Sequence, residues 1–320
     1  MENIDKEPQI SPYIAILGGI LAISTASIFI RYAQEEAASI VVAAYRLGIA
    51  ALVLAPIAFI RYREELKNLR RREVWLALIS GLFLAIHFAS WITSLEYTSI
   101  ANSVVLVTTT PLWVALLAPL VLQEQISRLV VIGLVITLLG GTLIGLGDAC
   151  TWEAGLRCPT MGDIFSGQAI WGDLLALVGA WMAAGYFMVG RKLRKAMSLV
   201  TYIFLVYTAA AVILFVWVWL SPHPLVGYSP RSYLWFLLLA LIPQIMGHSV
   251  FNWALRYLPA SIVSITLVGE PIGSVILAYL ILRETPTEIT LIGAVLILSG
   301  IYIASRSSQR NNVLAGDAPG

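Results

Sequence analysis

Five ionisable side chains stand inside long apolar stretches of this sequence: Arg46, His87, Asp173, His248 and Glu270. A charge held within an apolar span is costly, and it marks a wet cavity, a proton relay or a buried pairing partner. Glu270 falls about eleven residues into an apolar window of about 23, close to its middle at a rise of about 1.5 Å per residue. It is the leading candidate for a substrate contact or a proton site, with a structural pairing to Arg46 as the alternative. His87 and Trp91 are spaced four apart, as are His248 and Asn252, so each pair shares a helix face and the two faces are candidate cavity walls. Imidazole and indole can hydrogen-bond to or stack on a solute, although a hydrogen-bonded packing residue is the plainer alternative for each histidine. Thr110, Trp181, Tyr186 and Tyr207, all deep in other apolar stretches, complete the candidate substrate-binding set. Asp173 lies near a window end and reads as an anchor or helix-start residue.

Other chemistries lack their residues. The sequence contains no GxSxG, HExxH, HxxxH or CxxC spacing, so neither a nucleophile with its base nor a metal site is expected, and no cofactor. The two cysteines, Cys150 and Cys158, both fall in the connection 148–168; they are candidates for a disulfide, with two free thiols as the alternative.

The elements that must position these groups are membrane spans. Of the 320 residues, 59% are hydrophobic and 12% charged, against about 25% charged in soluble domains. A chain of this composition carries more apolar surface than a single soluble core can bury. The balanced charge, 20 Lys+Arg against 18 Asp+Glu, gives no footprint for nucleic acid. Ten windows of about 20 apolar residues read as spans: 13–32, 39–61, 74–95, 99–122, 129–147, 169–190, 198–220, 233–255, 260–282 and 289–305. On alternate connections most cations collect on one side: Lys6, Arg61 to Arg72, Arg128, Arg191 to Lys195, Arg256, Arg306 and Arg310. The other side holds Arg31, Arg157, Arg231 and Arg283. The positive-inside rule then predicts cytoplasmic termini, with tails 1–12 and 306–320. The segment 1–12 is polar and does not read as a signal peptide.

An ungapped offset of 160 aligns residues 95–142 with 255–302, pairing Tyr97 with Tyr257, Pro111 with Pro271, Glu124 with Glu284, Gly133 with Gly293 and Gly140 with Gly300. Arg31 and Arg191 keep the same spacing. The fold class expected is therefore an all-α membrane protein of ten transmembrane helices, built as two five-helix repeats, 13–147 and 169–305. An odd number of spans per repeat forces the second copy to enter the membrane inverted, an arrangement typical of secondary transporters. The matched prolines Pro111 and Pro271 are candidate hinges for the motion, with static kinks as the alternative. A membrane-embedded enzyme and a passive scaffold are the competing readings from other classes.

The segments Thr109-Thr110-Pro111 to Leu122-Gln123-Glu124 and Gly269-Glu270-Pro271 to Leu282-Arg283-Glu284 resemble the signature of the EamA-type drug/metabolite transporter superfamily. Tyr45-Arg46 and Gly172-Asp173 agree with it too. The resemblance covers about residues 13 to 305. It implies ten helices, cytoplasmic termini, a central cavity, and movement of amino acids, related metabolites or drug-like compounds, commonly outward. One departure stands out: Thr110 occupies the position where the second copy has Glu270. The expected function is alternating-access transport of a small organic solute across the cell (inner) membrane, with amino-acid or related metabolite export first. Nucleotide-sugar or sugar-phosphate transport, or drug transport, is the alternative; a phosphate would need cations, and Arg46 alone lies within the spans. The expected partners are a small-molecule substrate and the lipid bilayer, with protons as a candidate.

Overall fold

A chain in lipid must satisfy its backbone hydrogen bonds internally, and the described residues are accordingly helical, with no strand among them. The computed structural model describes residues 10–98, 106–149, 169–277 and 288–316, with Pro8, Ser103 and Leu280. Cys150, Cys158 and Glu284 lie outside these, and so does the expected disulfide. The elements are α1 (Pro12–Ile23), α2 (Ala26–Ala33), α3 (Ser39–Arg61), α4 (Arg63–Lys67), α5 (Arg71–Tyr97), α6 (Thr110–Val121), α7 (Arg128–Ala149), α8 (Ala169–Arg194) and α9 (Leu199–Leu220). Next come α10 (Pro230–Leu239), a π-helical stretch (Ala240–His248), α11 (Ser249–Ala254), α12 (Ala260–Thr266), a 3-10 turn (Leu267–Gly269), α13 (Glu270–Leu277) and α14 (Glu288–Gly316).

Among the described residues, six helical runs are long and apolar enough to cross a bilayer: Pro12–Ala33, Ser39–Arg61, Arg71–Tyr97, Ile170–Arg194, Leu199–Leu220 and Pro230–Ala254. Shorter apolar runs, Thr110–Val121, Arg128–Leu143, Ala260–Gly273 and Leu291–Ala304, stand in the remaining windows. Large apolar side chains point outward, among them Leu120 at 80% exposure and Ile60 at 78%, as lipid-facing residues should. The last helix runs past the expected window 289–305 to Gly316, because no proline or glycine interrupts the chain between Ile301 and Ala315.

Helix ends are held by glutamates from other elements. The Glu96 carboxylate accepts the Ser39 N–H at 3.1 Å at the start of α3, and Glu65 accepts the Ser198 N–H at 2.7 Å before α9. Glu36 accepts the Ser229 N–H at 3.0 Å before α10, and Glu124 accepts the Ala260 N–H at 3.2 Å at the start of α12. The unsatisfied N–H groups and the positive dipole end of a helix favour an anion there. The Ser229 N–H, with the Ser232 and Ser229 hydroxyls, holds the Glu36 carboxyl below its ordinary 4.5.

Several apolar runs are broken where the sequence contains hydroxyl or proline residues. α1 and α2 part at Ser24 and Thr25, whose hydroxyls bond to backbone carbonyls instead of leaving the ladder intact: Ser24 Oγ lies 2.7 Å from Ile20 O and 2.9 Å from Glu270 O. Pro111 and Pro271 stand second in α6 and α13, so each starts a helix, and the breaks lie just before them, at Thr108 to Thr109 and at Leu267–Gly269. A proline tolerates that position because its missing N–H would have no partner there. The π-helical stretch contains Pro243, which removes a ladder donor and favours the wider turn.

Candidate functional site

The breaks converge on one cavity, whose empty space is about 610 Å³ with the open solvent around it included. Its polar wall is formed by Arg46 of α3, His87 and Trp91 of α5, Thr110 of α6, His248 at the end of the π-helical stretch and Glu270 at the start of α13. Tyr186 and Phe187 of α8 supply the aromatic remainder, and Pro111 also lines it. Thr110 and Glu270, equivalent by the 160-residue offset, therefore face the same space from two helix starts, the placement found where discontinuous helices form transporter sites.

Arg46 is fully buried, and the geometry around it is specific. Its Nε donates to Gln244 Oε1 at 2.7 Å, and its guanidinium carbon lies 4.1 Å from the Phe88 ring centroid. Both terminal nitrogens, NH1 and NH2, are buried with no hydrogen-bond partner among the described residues. Among the described residues no ion pair within 4.0 Å joins Arg46 to Glu270, so the simple structural pairing is not formed. The anchor is a neutral amide. Gln244 orients the guanidinium without itself supplying a countercharge, and the two remaining nitrogens constitute a planar fork suited to a carboxylate.

The histidines differ in how they are held. His87 Nδ1 lies 2.9 Å from Gly179 O, and its ring stacks with Trp91 at 6.0 Å between centroids. The His248 ring stands edge-on to Phe88 at 5.3 Å, and its Nδ1 has no partner among the described residues. Trp91 Nε1 is likewise buried without a partner. Donors and acceptors left open around one space are what a polar ligand or ordered water would satisfy.

Not every candidate faces the cavity. Asn252 is fully buried behind the wall, donating to Tyr186 Oη at 2.5 Å and to His248 O at 2.8 Å. Tyr207 is fully buried beside Ser249, 3.3 Å from its hydroxyl. Trp181 points away: it is 43% exposed and packs edge-on to Trp113 at 5.3 Å, because its position on α8 is turned from the face of Tyr186 and Phe187. Pro271 is buried beside Glu270 and is not among the lining residues. Asp173 accepts the Thr98 hydroxyl at 2.7 Å near the start of α8, which suits an anchor. Among the described residues no three His, Cys, Asp or Glu side chains gather as metal ligands. Sequence reading missed Gln244 and Ser24; the available signals were an amide next to Pro243 inside an apolar span and a Ser-Thr pair amid the first one.

A sequence model of the EamA-like transporter family matches residues 10–146 and again 170–306. An uncharacterized transporter of Archaeoglobus fulgidus is 25% identical over 289 residues, 88% of this chain and 93% of its own. The uncharacterized transporter YyaM of Bacillus subtilis is 23% identical over 82% of this chain and 83% of its own. A solved crystal structure that is 17% identical superposes with a TM-score of 0.72, covering 94% of this chain and 98% of the other, and shares the fold. With both halves of a many-helix apolar chain matching one family around a shared polar cavity, the chain belongs to the EamA-like transporter family and is a multi-pass membrane transporter.

Proposed function

We propose that this transporter carries a small zwitterionic organic solute, of the amino-acid class, by alternating access. In this reading the ten spans form two inverted five-helix repeats, 13–147 and 169–305, in the cell (inner) membrane with both termini cytoplasmic, and the direction is export. The observation that carries it is the pair Arg46 and Glu270, which line one cavity and, among the described residues, form no direct ion pair with each other. A solute bearing a carboxylate and an ammonium group supplies both missing partners, the first to the Arg46 fork and the second to Glu270. Each charge then leaves water for an opposite charge, which is the condition under which burying it is tolerable. Trp91 and Phe187 present apolar surface to the rest of the solute.

Thermal melting of the detergent-solubilised protein tests this, because a ligand that binds only the folded form raises its melting temperature. The panel holds the twenty amino acids, the amines lacking their carboxylates, the esters, and sugar phosphates. Stabilisation by amino acids but not by the amines or esters, lost in Arg46→Met and Glu270→Gln, is the expected pattern. Stabilisation by sugar phosphates alone would overturn it in favour of phosphate-bearing substrates.

A further inference from the structure

Arg191 and Glu124 form a partly buried ion pair, Nε to Oε1 at 2.7 Å, with side-chain exposures of 12% and 14%. Neither residue lines the cavity. The pair is the centre of a larger knot: Arg191 NH1 donates to Leu255 O at 2.7 Å and to Arg256 O at 3.0 Å, while Glu124 Oε2 accepts the Ala260 N–H at 3.2 Å. The groups tied together are the connection after α6, the end of α8, the end of α11 and the start of α12.

Each of those four elements also carries or adjoins a piece of the cavity wall. Pro111 is on α6, Phe187 lies one turn before Arg191 on α8, His248 directly precedes α11, and Leu267 directly follows α12. In the alternating-access reading, a solute entering or leaving through the membrane face that carries Arg191 passes between these ends. One arginine fork and one carboxylate satisfy two helix-end carbonyls and one helix-start N–H, so moving the end of α8 away from the others breaks all three Arg191 bonds together. That is the behaviour of a latch with two discrete states, the kind of element that converts small shifts into all-or-none opening.

We propose that the Glu124–Arg191 knot is the latch that keeps the cavity shut on that face and releases when the transporter opens there. It rests on the alternating-access reading. The offset of 160 brings the same residue types, Arg31 and Glu284, to a second pair of positions in the sequence.

The test needs no substrate. Ala183, on the cavity wall, is replaced by Cys in a chain with Cys150→Ser and Cys158→Ser, and a membrane-impermeant maleimide is applied to right-side-out and inside-out vesicles. Glu124→Gln keeps an oxygen for the Ala260 N–H but removes the charge; Arg191→Lys keeps the charge but not the fork. Both variants are expected to label roughly tenfold faster than the parent from the face carrying Arg191, and more slowly from the opposite face. Unchanged labelling in folded, monodisperse variants would overturn the latch. Failure of both variants to fold would overturn it too, by making the knot a condition of the fold rather than a releasable contact. A parent that labels from only one face, in every variant, would instead overturn alternating access itself.

Discussion

A side-chain carbon placed on Gly133 would stand 2.5 Å from the carbonyl oxygen of Gly300, and one placed on Gly300 would stand 2.6 Å from that of Gly133. One helical interval further along, a Cβ on Gly140 would meet Gly293 O at 2.6 Å. The order of these contacts makes α7 and α14 antiparallel, with backbone against backbone. The four glycines are the two identical pairs of the 160-residue offset, and each touches the counterpart of the other pair. Gly133→Ala is therefore expected to cost about 1–3 kcal/mol, since the carbonyl it meets cannot step aside as a side chain would. Reduced thermal stability with an unchanged ligand profile would be the readout, and wild-type melting would contradict the close approach.

Gln244 should control the charge that Arg46 offers. Gln244→Glu gives the guanidinium a resident carboxylate, and affinity for carboxylate-bearing ligands is expected to fall roughly 10- to 100-fold, from the 1.5–3 kcal/mol typical of a charge-assisted bond. Gln244→Leu leaves the buried Nε without its acceptor and is expected to destabilise the protein by about 1–3 kcal/mol. Calorimetric titration and thermal melting separate the two effects.

The two deep tryptophans are expected to behave oppositely. Trp91→Leu removes an aromatic wall of the cavity and should weaken solute binding several-fold, at the order of about 1 kcal/mol for ring contacts. Trp181→Leu, on the outer surface, should leave affinity unchanged. Equal losses in both would place the solute somewhere other than this cavity.

Acid should loosen the Glu36 cap. Its carboxyl is held below 4.5 by the Ser229 N–H and the Ser232 and Ser229 hydroxyls. A depressed carboxylate contributes stability above the unfolded value and loses it as pH falls through the folded one. The melting difference between wild type and Glu36→Gln should accordingly be present at neutral pH and vanish once the pH has fallen well below the ordinary carboxylate range. A difference that persists there would mean the cap does not depend on ionisation.

Apolar spans and the polar candidates were legible because they are local. A run of about 20 apolar residues needs a helix wherever it goes in lipid, and Arg46, His87, His248 and Glu270 were visible simply as polar groups with no water nearby. The spacing of His87 and Trp91 on one helix face also carried through to a shared wall. Trp181 could not be sorted from Trp91 that way, because both lie deep and only the rotation of each helix against its neighbours separates outside from inside.

By itself the sequence determined the helical membrane class, the repeated glycines, prolines and glutamates, and the short stock of charges within the spans, all consequences of composition and period. Tertiary structure alone decided that Arg46 is held by the neutral Gln244 across 198 residues of chain, that Asn252 serves Tyr186 instead of the cavity, and that Glu124 meets Arg191. Those relationships depend on which helix ends meet and in what register, and contacts between residues so far apart in sequence leave no trace in local hydrophobic pattern.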